Sequence, residues 1–369
     1  MINSSIELFL DFFKDQPDST SFASGRVNLI GDHTDYNSGF VMPTPLSLGI
    51  EVSLKRTQTS LIQGKTKLFS ETERQINAKT DGTWLDFVTG AIKVFYEEFP
   101  NCSKSLEKGI QLVVSSNLPS SSGVSSSAAL EIALLRAINK IENQNLSQIK
   151  LAKLAQKIEH NFIGTKCGLM DQMVVSSGVM NKAMYFDVLN EKIVNLPLFN
   201  DYEFLVIHSG SQRTLSNSLY NKRRQECEEA SKLLKIRNLR EANHQMLNKL
   251  NGKLFNRTKH VISENERVTN CLELLKKNDA KTFGEKMYES HASLSEDYEV
   301  SSELLDNIIS KSKSLNILGG RLTGAGFGGC CVFLAERGSS KDILKFLNLH
   351  FENLSPVSYT HLRAHETLL

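Results

Sequence analysis

An almost wholly apolar run lies in the first half of the chain. Residues 128–138 have the sequence A-A-L-E-I-A-L-L-R-A-I, which combines good helix formers with apolar side chains on nearly every face of a helix. A helix of this composition has to be covered by other elements on several sides. The run therefore predicts a globular domain built around a buried helix, with early strands packed against it.

The segment before this run has the composition of an anion-binding loop. An apolar stretch at 110–115 predicts a strand, and residues 118–127, L-P-S-S-S-G-V-S-S-S, connect it to the helix. Free N–H groups in the first turn of a helix, together with the helix dipole, attract phosphate. A serine-rich surface loop with an ordinary N-cap is the alternative. The position between a strand and a buried helix favours the phosphate site.

A glycine-rich segment lies near the end of the chain. Residues 319–329, G-G-R-L-T-G-A-G-F-G-G, contain the spacing G-x-G-x-x-G, but a dinucleotide-binding fingerprint opens a helix. The apolar run at 330–334 predicts a strand after the glycines, which argues against NAD binding. A Walker A loop is also excluded, because Thr59 stands where the motif of 59–66 requires its first glycine. We expect a hairpin-like loop packed against another backbone or a ligand.

A third segment concentrates polar side chains between two apolar stretches. Residues 25–37, G-R-V-N-L-I-G-D-H-T-D-Y-N, offer carboxylate, imidazole, hydroxyl and amide groups in close succession. Such a set suits a ligand with many hydroxyl groups, since each carboxylate accepts hydrogen bonds from two of them. Metal ligation by His33 is a competing interpretation that lacks a second histidine at helical spacing. An ordinary polar turn is the simplest alternative.

Charge and cysteine content restrict the class of protein. Lys and Arg total 43 against 41 for Asp and Glu, a net charge of +2, so we expect neither nucleic acid nor an anionic membrane as a partner. No stretch is apolar for long enough to predict a membrane span, and the first residues lack the pattern of a secretory signal. Six scattered cysteines without C-x-x-C spacing favour reduced thiols in the cytoplasm.

Periodicity gives a coarse order of elements. Helices are expected at 5–14 and 147–162, strands at 40–54 and 202–208, and long helix-rich segments at 215–250 and 260–311. We place the domain boundary after residue 186, giving an N-terminal domain of 1–186 and a C-terminal domain of 187–355. Residues 356–369 lack the periodicity of the preceding helix, and we expect a disordered end or a sequence artefact.

In this order, the three polar and glycine-rich segments resemble the signatures of the GHMP kinases, and residues 25–37 resemble the galactokinase signature. Further matches lie at 83–84, 167–172, 213–214, 220–224 and 289–292, so that the resemblance covers residues 20–335. It implies an α+β fold of two GHMP kinase domains with the active site in the cleft between them. It also implies ATP-dependent phosphorylation of α-D-galactose at the anomeric hydroxyl, with Mg²⁺, in galactose catabolism. The expected partners are galactose and ATP alone, and the expected state is a monomer.

The resemblance implies roles for particular residues. Asp171 takes the position of the catalytic base, and Arg26 that of the cation that stabilises the transition state. A sugar hydroxyl needs a base because it is a poor nucleophile until its proton leaves. The implied ligand contacts are Asp32, His33, Thr34, Asp35 and Tyr220 for the sugar, Ser121, Ser122, Gly123, Val124, Ser125, Ser126, Ser127 and Trp84 for ATP, and Ser127 and Glu159 for Mg²⁺.

Two departures from the family pattern bear on these roles. Asp32 replaces the usual glutamate, which shortens the side chain by one methylene and affects sugar preference. Ser121 replaces the usual glycine, and its side chain would crowd a phosphate if the backbone there required a positive φ. A kinase for N-acetylgalactosamine, arabinose or galacturonate is therefore one alternative, and a catalytically silent sensor of galactose and ATP is another.

Overall fold

The computed structural model describes residues 4–66, 72–119, 123–211 and 216–359. The chain divides into two compact units: unit 1 comprises Met1–Gly25, Leu48–Leu118 and Ser125–Ser177, and unit 2 comprises Arg26–Ser47, Pro119–Val124 and Gly178–Leu369. This division differs from the expected single boundary after residue 186. Residues 26–47 belong to unit 2 because they bond to late parts of the chain, as when the Asn28 N–H donates to Thr323 Oγ1 over 3.2 Å.

Unit 1 contains a sheet with the strand order β4-β3-β5-β2. β3 runs parallel to β5, and the other neighbours are antiparallel. Val52 faces Val114 and Leu54 faces Leu112 across the β2–β5 pair, and all four are buried. The strands predicted at 40–54 and 110–115 are confirmed. Three strands lie wholly in unit 1: β3 (Leu61–Thr66), β4 (Thr72–Gln75) and β5 (Ile110–Ser116). Two more have residues in both units: β1 (Ser19–Ile30) and β2 (Phe40–Arg56).

The helices of unit 1 surround the predicted buried helix. They are α1 (Ser5–Phe13), α2 (Leu85–Glu98), α3 (Ser126–Ile141), α4 (Gln148–Ile158) and α5 (Met170–Ser177), with a π-helical turn at Glu159–Ile163 after α4. α3 packs against α2, α4 and α5, and its apolar residues are buried as predicted. The helices expected at 5–14 and 147–162 are also confirmed. Burial of α3 fixes its N-terminal end, which carries the serine-rich loop.

Unit 2 contains a four-stranded antiparallel sheet of order β11-β8-β10-β9. In addition, the first residues of β2 pair with β6, and β6 pairs with β7. The new strands are β6 (Lys182–Asp187), β7 (Lys192–Pro197), β8 (Tyr202–His208), β9 (Ile317–Thr323), β10 (Cys330–Glu336) and β11 (Ser355–Tyr359). β11 corrects the expected disorder from Pro356 onwards, since its backbone pairs with β8. Residues 360–369 lie outside the described residues.

The helices of unit 2 are α6 (Ser216–Leu234), α7 (Gly252–Lys276), α8 (Ala280–Glu296), α9 (Glu303–Ser312) and α10 (Ser340–Asn348). α8 and α9 pack against β9, α10 packs against β11, and α7 packs between α6 and α8. The helix-rich stretch expected through residue 250 ends at Leu234, because the chain continues only as short 3₁₀ turns at Leu239–Glu241 and His244–Lys249. Asn243 begins the second turn by accepting the Met246 N–H, a local bond that competes with a regular helix. The mixture of helix and sheet confirms the α+β class.

The structure also bears on the expectations about membrane spans and cysteines. Within the described residues, no helix is both long and apolar enough to cross a membrane. All six cysteines are free thiols.

Candidate active site

The polar segment of unit 2 begins with a sharp turn after β1. Gly31 has φ +101°, and a Cβ atom there would lie 2.8 Å from the carbonyl oxygen of Phe40, so only glycine fits without strain. The hydroxyl of Thr34 lies 2.8 Å from the Gly31 carbonyl and 2.6 Å from that of Phe40. The Gly39 N–H donates to the Thr34 carbonyl over 2.8 Å. Thr34 is fully buried, so its side chain stabilises this turn.

Asp32 is buried in the same turn and bonded to several groups of unit 2. Asn28 Nδ2 donates to its Oδ1 over 2.8 Å, and Arg321 Nη2 donates to its Oδ2 over 2.5 Å. The Gly324 N–H donates to the same Oδ2 over 3.2 Å. Burial raises the pKa of Asp32, although Arg321 favours the charged form. The carboxylate therefore holds the glycine-rich segment against the polar turn.

His33 lies in a cluster of aromatic rings. Its ring is 4.8 Å from the ring of Tyr298 and 5.6 Å from that of Tyr220, between centroids. Its Nε2 lies 3.2 Å from the carbonyl of Ala325, which only accepts, so this nitrogen carries the proton. Burial lowers the pKa of His33 well below its usual value, so the ring is neutral. Its Nδ1 then accepts from the Tyr36 hydroxyl over 2.9 Å.

The direction of this hydrogen bond fixes a chain of donors behind it. Because Tyr36 donates to His33, the Tyr298 hydroxyl donates to Tyr36 over 2.7 Å, and the Cys227 thiol lies 3.1 Å from Tyr298. Burial raises the pKa of Cys227 to about 11, which keeps it a thiol at neutral pH. Tyr220 packs its ring 5.3 Å from that of Tyr36. The cluster holds the imidazole and the Tyr220 ring in one orientation.

Arg26 lies beside the described end of the serine-rich loop. Its side chain is buried, and Nη1 donates to the Gly123 carbonyl over 2.7 Å, while its backbone N–H donates to Val124. The predicted cation thus contacts the predicted phosphate loop within unit 2. Ser121 and Ser122 lie outside the described residues, so the departure at Ser121 stays untested.

Unit 1 places the candidate base at the beginning of α5. Ser125 precedes α3 with φ +60° and makes no side-chain cap; its hydroxyl instead donates to Asp171 Oδ2 over 2.5 Å. Ser126 is exposed at the first turn of α3. The serines of the loop therefore have different surroundings, and Ser125 orients the carboxylate of Asp171.

The two residues predicted to hold Mg²⁺ are in contact. Burial raises the pKa of Glu159, and a hydrogen bond from the Ser127 hydroxyl opposes that shift. A carboxylate and a hydroxyl are oxygen ligands of the kind that Mg²⁺ uses when phosphate and water complete its octahedron. In the described parts of the chain, no cluster of three or more His, Cys, Asp or Glu side chains is arranged for a metal ion. The Ser127–Glu159 pair therefore fits a Mg²⁺ ion whose other ligands come from nucleotide phosphates and water.

Trp84 precedes α2 and packs on β3. A Cβ atom at Gly64 would lie 2.6 Å from the Trp84 ring, so the glycine leaves room for the indole against the strand. The buried Nε1 has no hydrogen-bond partner among the described residues. The structure leaves the predicted adenine contact of Trp84 untested.

The glycine-rich segment forms the predicted hairpin. β9 and β10 pair antiparallel on either side of it, so the glycines do not open a helix and the dinucleotide interpretation fails. Sequence reasoning missed Arg321, which lies inside this segment and reaches Asp32. It also missed Tyr298, which follows the C-terminal end of α8, and Glu264 of α7, whose Oε1 accepts the Gly31 N–H over 2.8 Å. Neither residue belongs to a motif. Only their positions in the fold reveal them.

Comparison with known families identifies the class of protein. The GHMP kinases N terminal domain matches residues 86–179, and the GHMP kinases C terminal domain matches residues 271–353. The structure is similar to that of a mevalonate kinase, with a TM-score of 0.67 at 20% identity over 92% of this chain and 98% of that one. The chain is therefore built as a GHMP kinase.

More specific matches narrow the family. The galactokinase galactose-binding signature matches residues 7–56. A galactokinase of Thermotoga petrophila is 35% identical over 89% of this chain and 94% of its own, and one of Haemophilus influenzae is 32% identical over 97% and 96%. The structure of a Lactococcus lactis galactokinase complexed with galactose has a TM-score of 0.89 at 28% identity, over 96% of this chain and 97% of that one. The chain belongs to the galactokinase family, whose members are sugar kinases.

Proposed function

We propose that this chain transfers the γ-phosphoryl group of ATP to the anomeric hydroxyl of α-D-galactose, giving α-D-galactose 1-phosphate and ADP. The observation that supports this most is the galactose-binding signature, whose polar turn is rigidly built by buried hydrogen bonds. No observation favours N-acetylgalactosamine, arabinose, galacturonate or a silent sensor, and these become outcomes of the test.

Asp171 is the proposed base. Its carboxylate accepts the Ser125 hydroxyl over 2.5 Å, which holds one oxygen in a fixed direction. A positioned carboxylate accepts the proton of the sugar hydroxyl as the phosphoryl group is transferred. We expect Asp171→Asn to keep the shape of the site and to lose this proton acceptor.

Arg26 is the proposed transition-state cation. Its guanidinium is permanently charged and is fixed by the Gly123 carbonyl over 2.7 Å. A preorganised cation next to the phosphate loop offsets the negative charge on the phosphoryl oxygens. Ser127 and Glu159 would hold Mg²⁺, which supplies further charge neutralisation on the phosphates.

The sugar contacts are assigned by chemistry and by the family resemblance. Asp32, His33 and Thr34 have polar atoms bonded to unit 2, so we give them the role of building the turn. Direct contacts with sugar hydroxyls are assigned to Asp35 and Tyr220, at the positions that match the galactokinase pattern.

The test is sugar-dependent release of ADP from Mg·ATP over galactose, glucose, N-acetylgalactosamine, arabinose and galacturonate. Strong turnover on galactose, lost in Asp171→Asn and kept in the exposed control Asp342→Asn, is the expected result. Turnover on another sugar would assign the chain to a related kinase. Saturable binding of galactose without ADP release would assign it to the sensors.

We also propose a monomer that acts in the cytoplasm. The free thiols and the near-balanced charge support this setting. Light scattering is expected to give the mass of one chain, 41.3 kDa, and a mass twice as large would contradict the monomer.

A further inference from the structure

Glu131 is a buried acid of α3 that the reaction outlined above does not use. The residue is 0% exposed, and its Oε1 has no hydrogen-bond partner among the described residues. Its Oε2 has one long contact, 3.5 Å from the Nε2 of Gln172. Gln172 is itself 1% exposed, and its Oε1 also lacks a partner in the described parts of the chain. Two neighbouring side chains thus bury two acceptor atoms without a donor.

A proton on Glu131 supplies the missing donor. The O–H of a carboxylic acid donates to the oxygen of an amide, and the amide NH₂ donates back to the acid, which satisfies both side chains. An ionised carboxylate with a single long contact would instead be strongly destabilising in this position. Burial raises the pKa of Glu131 well above its usual value, and the negative charges of Glu159 and Asp171 raise it further.

The two side chains connect the two helix ends that carry the proposed chemistry. Gln172 follows Asp171 at the beginning of α5, and Glu131 lies one turn beyond Ser127 on α3. Within unit 1, their contact joins α3 to α5, and the hydrogen bond from Ser125, the residue before α3, to Asp171 joins the same two helix ends. An acid–amide pair at this point fixes the distance and the rotation of one helix end relative to the other.

We propose that Glu131 and Gln172 form a neutral acid–amide pair that positions Asp171. This role rests on the proposed function, because it matters for turnover only if Asp171 is the base. Neutrality is part of the role: an ionised Glu131 would add a negative charge beside Glu159 and Asp171, which both have to be anionic to act as ligand and base.

Two substitutions at Glu131 separate this role from the alternatives. Glu131→Gln keeps a donor and an acceptor and should retain kcat within about threefold, whereas Glu131→Leu removes both and should lower kcat about tenfold to a hundredfold, as lost supporting contacts do. KM for galactose and for ATP should stay within about twofold in both, since neither contacts a ligand. Gln172→Leu should match Glu131→Leu, and it serves as the second variant if Glu131→Leu does not fold.

Two kinetic outcomes would refute the proposed positioning role of the Glu131–Gln172 pair. If Glu131→Gln lost as much activity as Glu131→Leu and needed more Mg²⁺, the residue would act as an ionised ligand. If Glu131→Leu and Gln172→Leu both kept normal kcat, the pair would have no positioning role.

A measurement without turnover tests the protonation itself. The infrared difference spectrum of the wild-type chain minus Glu131→Gln at neutral pH should contain the carbonyl band of a protonated carboxylic acid. A carboxylate band in its place would refute the neutral pair. This readout is independent of the Asp171→Asn assay, so failure of the proposed function and failure of the pair can be told apart.

Discussion

The ion pair between Arg321 and Asp32 joins the polar turn of unit 2 to the glycine-rich segment. Arg321 is fully buried, and its Nη2 lies 2.5 Å from Asp32 Oδ2 and 3.9 Å from Glu264 Oε1. The substitution Arg321→Met keeps an unbranched apolar stem, shorter than arginine, and removes the charge. We expect it to destabilise the protein and to weaken galactose binding together.

The expected magnitude follows from the charges that remain. Breaking a buried pair from one side typically costs about 3–5 kcal/mol, because the other charge stays buried alone. Glu264 keeps Arg267, whose Nε is 2.7 Å from its Oε2, so the loss falls mainly on Asp32. Burial already raises the pKa of Asp32, and protonation without Arg321 recovers part of the loss. We therefore expect a cost of about 3 kcal/mol, at the lower end of the range for buried pairs.

Denaturant unfolding of single and double variants measures this cost. Asp32→Asn combined with Arg321→Met should be less destabilising than the sum of the two, with a coupling of about 1–3 kcal/mol. The control is Arg56→Met, whose partner Asp18 is partly exposed, and its cost should stay under about 1 kcal/mol. KM for galactose should rise in Arg321→Met and stay normal in Arg56→Met. An unchanged stability for Arg321→Met, or strict additivity in the double variant, would refute the reasoning.

Three further predictions concern the turn, acid stability and the base. Gly31→Ala should cost more than about 2 kcal/mol from strain and contact with backbone, whereas Gly82→Ala, which has a positive φ but open space, should cost about 1 kcal/mol in the same unfolding assay. Burial lowers the pKa of His260 to about 4, so below about pH 6.5 the unfolded state binds a proton at this residue that the folded state does not, and stability falls. Between pH 7 and 5 the share of His260 in this loss is about 2 kcal/mol. Because burial lowers the pKa of His291 to about 4 as well, a pH series of melts on His260→Asn should show a loss that is smaller by the share of His260. Ser125→Ala should lower kcat about tenfold with unchanged KM, because Asp171 loses one orienting hydrogen bond; a normal kcat would contradict that role.

Much of the fold could be predicted because its signals are local. The apolar content of α3 and of β8 reflects burial on several faces, which shows in any short window of sequence. The strand that ends the glycine-rich segment was likewise enough to exclude a dinucleotide fold. The boundary between units could not be found this way, since it depends on which late segments residues 26–47 contact, and no change of composition marks it.

Contacts between distant parts of the chain also limit what the sequence predicts about the candidate site. A hydrogen-bonding side chain in the sequence indicates a site, but the same residue types are needed to contact a ligand and to build the cavity for it. Asp32 shows the difference, because its carboxylate is bonded to Arg321, a residue 289 positions later in the chain. The length of the Asp32 side chain is therefore set first by the position of Arg321, and only then by the distance to a sugar hydroxyl.

A turn built in this way affects binding through preorganisation. Thr34, Asp32 and His33 are held before any sugar arrives, by the Gly31 and Phe40 carbonyls, by Arg321 and by Tyr36. Binding then orders few side chains, and the entropic cost of fixing them is met during folding. Changes in the buried partners should consequently alter sugar affinity without removing any group that touches the sugar. Mutations at Arg321 and Tyr298 are the direct way to separate these partners from the residues that contact galactose.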